Sequence, residues 1–353
     1  MTRGRPARGA ALGALLLALL PSPAPAAQEP DLPRLLVLAT GGTIASRPDA
    51  PQLRGTELVE AVPELARHAR LTVEQVASVG SSAMTPDHWL RLARRVNEAF
   101  DADPGLAGVL VTHGTDSMEE TAYFLHLTVR DERPVVLVGS MRSATAVSAD
   151  GPANLIAAVR TATSPDARGK GVLVVLNDWI HSARDVRKMD SNRVDTFRSE
   201  WGPLGLVDAD GVIFRRTLTT RHTTTSAFDV SGVEALPEVA LVADFAGHDG
   251  SGVLEAGARA RGVVLQAFAN GRTSPGASRA VEELVARGIP VVLASRVPEG
   301  RVMARRRDDA EAEGRPAPVT AGDLAPHKAR VLLMLALTRT SDPSGIQRLF
   351  DSH

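Results

Sequence analysis

The 353-residue sequence contains no cysteine, which excludes disulfide bonds, thiol catalysis and cysteine-based zinc sites. Aromatic residues make up only 3% of the chain, which argues against stacking platforms that bind bases or sugars. The formal net charge is -1, so no overall basic field attracts nucleic acid or an anionic membrane. An apolar content of 44% and a charged content of 23% are typical of a globular protein.

Common cofactor and metal motifs are missing as well. The Gly41-Gly42-Thr43 corner lacks the GxxxxGK[ST] pattern of a phosphate loop and the GxGxxG pattern of a dinucleotide site. There is no GxSxG nucleophile elbow. The nine histidines form no HExxH pattern, so a catalytic metal is not predicted.

Lysine is scarce too. Of the 40 basic residues only Lys170, Lys188 and Lys328 are lysines, a pattern that a coding bias toward arginine explains. Lysine can lose its proton in a protein, whereas arginine effectively cannot. Where a lysine is kept despite this bias, a chemical reason is therefore worth seeking.

Residues 1–27 have the pattern of a secretory signal peptide. Arginines precede a short apolar run at 10–20, and small residues then allow cleavage near Ala26 or Ala27. The run is too short to span a bilayer well, and the lack of cysteine excludes a lipoprotein anchor. We predict export to the periplasm or the medium, with the folded chain starting near Asp31.

Strand-like runs, polar corners and helix-like runs alternate through 31–215. This order predicts a larger N-terminal α/β domain with a mostly parallel, flavodoxin/Rossmann-like sheet. The strand runs are continuously apolar, as in a sheet covered on both faces. A threonine-rich stretch at 216–237 is predicted as a linker, and 238–353 as a smaller C-terminal α/β domain. The predicted helices lie at 56–68, 86–100, 119–129, 150–163, 278–287 and 327–337, and 305–318 is predicted as a surface loop.

Hydroxyl and acid groups follow three consecutive strand runs. Thr43 follows the first run, Ser81 the second, and Thr115 with Asp116 the third. In a parallel sheet these corners share one edge, so we expect the groups to converge. A hydroxyl beside a carboxylate and a lysine base suits amide cleavage by covalent catalysis. The alternative for the Gly41-Gly42-Thr43 corner alone is an ordinary strand-to-loop turn.

Two stretches read ATGGTIA at 39–45 and THGTDSMEETA at 112–122. They resemble the two signatures of bacterial L-asparaginases of the exported type. Similar stretches follow in the same order: Met141-Arg142, ADGPANL at 149–155, RDV at 184–186 and KARVLL at 328–333. The resemblance therefore spans nearly the whole chain after the signal segment.

The resemblance implies roles for individual residues. Thr43 would be the nucleophile, and the second catalytic triad would consist of Thr115, Asp116 and Lys188. Substrate contacts would come from Gly42, Ser81, Ser82, Gly114 and Asp116. Ser81 and Asp116 would hold the α-amino and α-carboxylate groups, and backbone N–H groups near the two threonines would form an oxyanion hole. The resemblance also implies a homotetramer, a dimer of dimers with sites at subunit boundaries, and no metal or organic cofactor.

The chain also departs from the family pattern. The segment 46–55 is shorter than the family's loop and lacks its tyrosine, so Arg47, Asp49 or a water are the candidates to replace it. The single tyrosine, Tyr123, is predicted to be a packing residue, and His113 a structural one. Ser82 stands where the family often has Gln or Glu. The acid donated by the partner subunit is expected at Asp308 or Asp309.

The predicted function is hydrolysis of L-asparagine to L-aspartate and ammonia, with a possible glutaminase side activity. Because the loop tyrosine is missing, two alternatives stay open. One is a near-inactive relative that binds aspartate or asparagine, and the other is an amidase acting on a different small amide. The residues do not separate Asn from Gln, since one methylene in a pocket is worth only about 1–3 kcal/mol.

Overall fold

A computed structural model describes residues 1–2, 4, 31–47, 51–315 and 317–353. The predicted signal peptide, 1–27, therefore lies almost entirely outside the described residues. Residues 32–353 group together as one unit, and the fold described below belongs to it. Within the described ranges, no helix is long and apolar enough to cross a membrane.

The N-terminal part is built on a large sheet, whose strands alternate with helices at first and with turns later. The strands are β1 (Arg34–Ala39), β2 (Arg70–Gln75), β3 (Leu106–Thr112), β4 (Val135–Val138), β5 (Val172–Leu176), β6 (Trp179–Ser182), β7 (Val186–Lys188), β8 (Phe197–Ser199), β9 (Gly205–Val207) and β10 (Val212–Phe214). All except β7 and β8 form an eight-stranded sheet in the order β10-β9-β6-β5-β4-β3-β1-β2. The strands from β2 to β5 in that order are parallel.

Helices cover both faces of this sheet: α1 (Gly55–Glu60), α2 (Pro86–Ala102), α3 (Met118–Thr128) and α4 (Gly151–Thr163). Successive residues of β1 point into different cores. Leu36 and Leu38 belong to the core that contains α2 and α3, whereas Leu35 and Val37 belong to the core that contains α4. A strand buried on both faces needs apolar residues at every position, which explains its unbroken run.

The C-terminal part has a smaller, fully parallel sheet of four strands: β11 (Val239–Ala243), β12 (Gly262–Ala267), β13 (Val291–Ser295) and β14 (Val319–Thr320). Its helices are α5 (Ser251–Arg259), α6 (Pro275–Ala286), α7 (Arg305–Ala312), α8 (Pro326–Ala336) and α9 (Pro343–Ser352). Helix α8 packs on this sheet and also contacts α3, so one apolar core continues between the two sheets. The mixed α/β fold with a separate smaller C-terminal domain agrees with the predicted fold class.

Two segments differ from the predicted elements. The single helix predicted over 56–68 is divided, because Pro63 has no N–H to continue α1, and a 3-10 turn follows at Pro63–Arg67. The surface loop predicted at 305–318 contains helix α7, in which Arg307 pairs with Glu311 one turn later at 2.7 Å.

Candidate active site

The loops that follow β1, β2 and β3 meet at one point. Gly42 has a φ of 90°, and a Cβ atom there would lie 2.3 Å from the Cα of Gly114. A Cβ atom on Gly114 would in turn lie 2.7 Å from the Oγ of Ser81. Only glycine allows both approaches, because any side chain would overlap the facing loop. The three corners expected to converge therefore do so.

Thr43 begins a short 3-10 turn, Thr43–Ala45, directly after this contact. Its side chain is partly exposed, while Ile44 and Ala45 behind it are buried. Within the described ranges, neither its hydroxyl nor its backbone N–H has a hydrogen-bond partner. The hydroxyl is thus available to a molecule that enters the corner.

Lys188, at the end of β7, connects the two groups that follow β3. Its Nζ donates to the Oγ1 of Thr115 at 2.9 Å and to the Oδ1 of Asp116 at 2.6 Å. Thr115 is buried, whereas the Asp116 side chain is 67% exposed and faces the open side of the site. A hydroxyl, an amine and a carboxylate are therefore joined in one chain of contacts.

Ser81 lies beneath this cluster and orients it. Its Oγ accepts a hydrogen bond from the Asp116 N–H at 3.1 Å, and its carbonyl accepts one from the Ser117 hydroxyl at 2.6 Å. Ser82, the next residue in the 3-10 turn Ser81–Ala83, is exposed. The turn therefore presents one buried and one exposed hydroxyl beside the carboxylate.

His113 and Tyr123 both lie in the core. The His113 Nδ1 is 2.7 Å from the Gly114 carbonyl, to which it donates, and the Nε2 accepts from the Thr121 hydroxyl at 2.9 Å. Burial lowers the pKa of His113 to about 4, so the ring is neutral and holds the Gly114 carbonyl in place. Tyr123 is fully buried, and its hydroxyl lies 3.4 Å from the carbonyl of His353.

The short loop after Thr43 folds back on itself. Arg47 donates two hydrogen bonds to the carbonyl of Pro51, at 3.1 and 2.9 Å, and the Leu53 N–H donates to the Ala45 carbonyl at 2.8 Å. The Arg47 guanidinium is thus engaged within the loop. Asp49, another candidate to replace the tyrosine, lies outside the described residues.

Two buried groups of this region carry no role in the sequence-based prediction. Glu119 accepts from the Lys188 N–H at 3.4 Å, and its other oxygen lies 3.0 Å from the Nε2 of His327. Burial alone would raise the pKa of Glu119, but His327, Lys328 and the Lys188 N–H outweigh it and lower this pKa. The second group is the fully buried ammonium of Lys328. Glu119 lies in the first turn of α3, where an acid is ordinary because it interacts favourably with the helix dipole. The sequence alone therefore gives no reason to single it out.

No group of three or more His, Asp or Glu side chains in the described part of the chain is arranged to hold a metal ion. The polar groups at the convergence point are instead hydroxyls, one carboxylate and one amine. Hydroxyls, a carboxylate and an amine at one sheet edge are the groups that amide cleavage by covalent catalysis requires.

Comparison with known proteins identifies the family. The family models "Asparaginase, N-terminal" and "Glutaminase/Asparaginase C-terminal domain" match residues 34–220 and 238–350. The chain therefore belongs to the asparaginase family, whose members are amidohydrolases.

Individual relatives cover nearly the whole chain. It is 43% identical to L-asparaginase 2 of Bacillus subtilis, over 94% of this chain and 90% of the relative. It is 39% identical to a glutaminase-asparaginase of Pseudomonas fluorescens over 96% of each chain, and 40% identical to a probable periplasmic L-asparaginase of Haemophilus influenzae over 92% and 94%. The crystal structure of a probable cytoplasmic L-asparaginase from Campylobacter jejuni superposes with a TM-score of 0.84 at 41% identity, over 91% of this chain and all of that one.

Proposed function

We propose that this protein hydrolyses L-asparagine to L-aspartate and ammonia, with glutaminase side activity. The observation that carries the proposal is the Lys188 amine, which lies within hydrogen-bond distance of both Thr115 and Asp116 beside the Thr43 corner. Relatives named L-asparaginase and glutaminase-asparaginase support both parts of the activity.

In the proposed reaction, the Thr43 hydroxyl oxygen attacks the side-chain amide carbon of the substrate. The amide oxygen becomes an oxyanion that the N–H groups of Thr43 and Thr115 stabilise. The carbon–nitrogen bond then breaks, and the hydroxyl proton leaves with the nitrogen as ammonia. Water cleaves the resulting ester, which releases aspartate and restores the threonine.

A second route places the ester on Thr115. Lys188 contacts the Thr115 hydroxyl directly, so in this route Lys188 acts as the base that takes the hydroxyl proton and passes it to the leaving nitrogen. Both routes give the same products. They differ only in which threonine carries the ester.

The substrate is held at its two charged ends. The exposed carboxylate of Asp116 binds the ammonium group of the substrate. The hydroxyls of Ser81 and Ser82 donate hydrogen bonds to the α-carboxylate of the substrate. Gly42 and Gly114 leave room for the substrate because neither has a side chain.

The test is ammonia release by Thr43→Ala and Thr115→Val, with Thr163→Ala on α4 as the matched control. We expect each site variant to lose at least about a hundredfold in kcat, since it removes a nucleophile or its proton path. The control is expected to keep wild-type activity. Full activity in both site variants would rule out the mechanism.

A second candidate is a relative that binds aspartate or asparagine with almost no turnover. The observation in its favour is the free Thr43 hydroxyl, which has no proton acceptor within the described ranges. Calorimetric binding of aspartate, with no ammonia released from any amide, would favour this candidate over the enzyme. Turnover of a D-amino acid amide or a small peptide amide in preference to asparagine would instead identify an amidase with a different substrate.

Export and assembly complete the proposal. We propose a periplasmic or secreted homotetramer, a dimer of dimers in which Asp308 or Asp309 on α7 of a neighbouring subunit completes each site. The 31–215, 216–237 and 238–353 boundaries belong to the same proposal. N-terminal sequencing of exported protein, expected to begin after Ala26 or Ala27, tests export, and light scattering of the purified protein tests the tetramer.

A further inference from the structure

Within the described ranges, strand β7, which ends in Lys188, pairs with another strand on one edge only. On that edge it pairs with β8, and the Met189 N–H continues the ladder by donating to the Thr196 carbonyl at 2.9 Å. Backbone groups of a strand point to alternate sides, so those of Val186 and Lys188 point away from β8. A three-residue strand with one paired edge is too short to hold its position alone.

Side chains from two helices take the place of a strand on the unpaired edge. Glu119 of α3 accepts from the Lys188 N–H at 3.4 Å. Lys328 of α8 donates to the Val186 carbonyl and, at 2.9 Å each, to the carbonyls of Ala183 and Arg184. Every N–H of the Lys328 ammonium is therefore directed at the backbone that leads into β7.

The Lys328 ammonium is costly to bury. Its side chain is fully buried, and desolvation lowers its pKa to about 8 despite the nearby acids Glu119 and Asp185. The arginines 184 and 187 lower this pKa further. An apolar side chain of similar length would avoid that cost, so the function of the ammonium lies in the three carbonyls it holds.

We propose that Lys328 is a positioning residue, which fixes the backbone of β7 so that the Lys188 amine stays between Thr115 and Asp116. The Lys328 ammonium thus holds strand β7, and β7 in turn carries the Lys188 amine. A shift of about 1 Å at such a group is enough to lower a rate about a hundredfold.

The chain's three lysines make this proposal directly observable. Protein labelled at the lysine Cε with 13C has one signal for each of Lys170, Lys188 and Lys328, assigned by replacing each with methionine. In Lys328→Met we expect the Lys188 signal to shift, because the amine moves relative to Thr115 and Asp116. Lys170→Met, the matched control at a lysine packed near Phe214, is expected to leave the Lys188 signal unchanged.

A kinetic measurement on the same variant rests on the proposed amidohydrolase activity. In Lys328→Met we expect kcat to fall about ten- to a hundredfold while KM changes less than about threefold, because the substrate contacts at Asp116 and Ser81 stay in place. If neither wild type nor variant releases ammonia but the Lys188 signal shifts, the positioning role holds and only the proposed function fails.

A folded Lys328→Met with wild-type kcat and an unchanged Lys188 signal overturns the proposal. If that variant does not fold, Lys328→Gln replaces it, since its amide retains two N–H donors. An intermediate shift of the Lys188 signal in Lys328→Gln supports the proposal, and an unchanged signal overturns it.

Discussion

Gly42 and Gly114 lie back to back, so that a Cβ atom on the first would be 2.3 Å from the Cα of the second. This contact joins the loop that carries Thr43 to the loop that carries Thr115 and Asp116. It also gives the clearest test of how tightly the site is built.

Gly42→Ala is expected to separate the two loops. The substitution combines a φ of 90° with a backbone overlap, so we expect a loss of about 3 kcal/mol or more in the free energy of unfolding. Gly169→Ala is the matched control, because Gly169 has a φ of 67° but no atom within 4 Å of its would-be Cβ, and it should cost only about 1 kcal/mol. Urea denaturation measures both. Equal losses of unfolding free energy in the two variants would mean that the loops of Gly42 and Gly114 separate without cost, which would contradict the prediction.

Asp116→Asn is expected to weaken substrate binding. It removes the charge proposed to bind the substrate ammonium, together with the ion pair with Lys188, so KM for asparagine should rise roughly ten- to a hundredfold. Calorimetry with aspartate should show the same weakening. Asp101→Asn, at an exposed residue on α2, is the control and should leave both measurements unchanged. Wild-type aspartate affinity in Asp116→Asn would exclude this contact.

Glu119→Gln and Glu120→Gln are expected to change stability in opposite directions. The pKa of Glu119 is lowered overall, so its charge stabilises the fold above the ordinary carboxyl range and that contribution is lost as pH falls. Burial raises the pKa of Glu120, so its charge opposes folding at neutral pH. At pH 7 we expect Glu119→Gln to lose about 1–3 kcal/mol and Glu120→Gln to match or exceed wild type.

Denaturation at pH 7 and at pH 4 checks both parts of this prediction. The loss in Glu119→Gln should be smaller at the lower pH, because the contribution of the Glu119 charge is lost as pH falls through its lowered pKa. Glu120→Gln should approach wild type, because the Glu120 carboxyl with its raised pKa becomes protonated first. A stable Glu119→Gln at pH 7 would show that the contacts with Lys188 and His327 contribute nothing to the fold.

His113 is expected to contribute to acid unfolding. Its pKa in the fold, about 4, lies below the ordinary value of 6.5, so the unfolded chain binds a proton first as pH falls. Stability should therefore decrease between pH 6.5 and 4, by up to about 1.4 kcal/mol per pH unit for this one group. His113→Gln should reduce that slope and His68→Gln, at a histidine outside the core, should not. If the pH dependence of stability is unchanged in His113→Gln, the lowered pKa of His113 does not contribute to acid unfolding.

The fold follows from signals that repeat along the chain. Unbroken apolar runs such as Val109 to Val111 predict buried parallel strands, and polar corners after them predict a shared edge. The short antiparallel strands escape prediction, because three residues of β7 or β9 give no periodicity to read. Their position depends on contacts with distant residues.

The sequence also predicts part of the candidate site. Thr43 and Thr115 follow apolar runs, and Ser81 follows an alternating strand-like run, so the sequence indicates all three. Their convergence is a property of parallel sheets. Lys188 follows no such run, and only the rarity of lysine and the family resemblance indicate it. The roles of Glu119 and Lys328 depend on which side of β7 faces a helix, which no local pattern encodes.

The position of Lys328 has a consequence for how activity arises during synthesis. The residues from Thr43 to Lys188 are made first, yet the side chain that holds β7 belongs to α8, near the end of the chain. A chain truncated before α8 contains the threonines and Lys188 but lacks the side chain proposed to hold β7. If Lys328 has that role, the site is complete only after α8 has been made and has packed against α3.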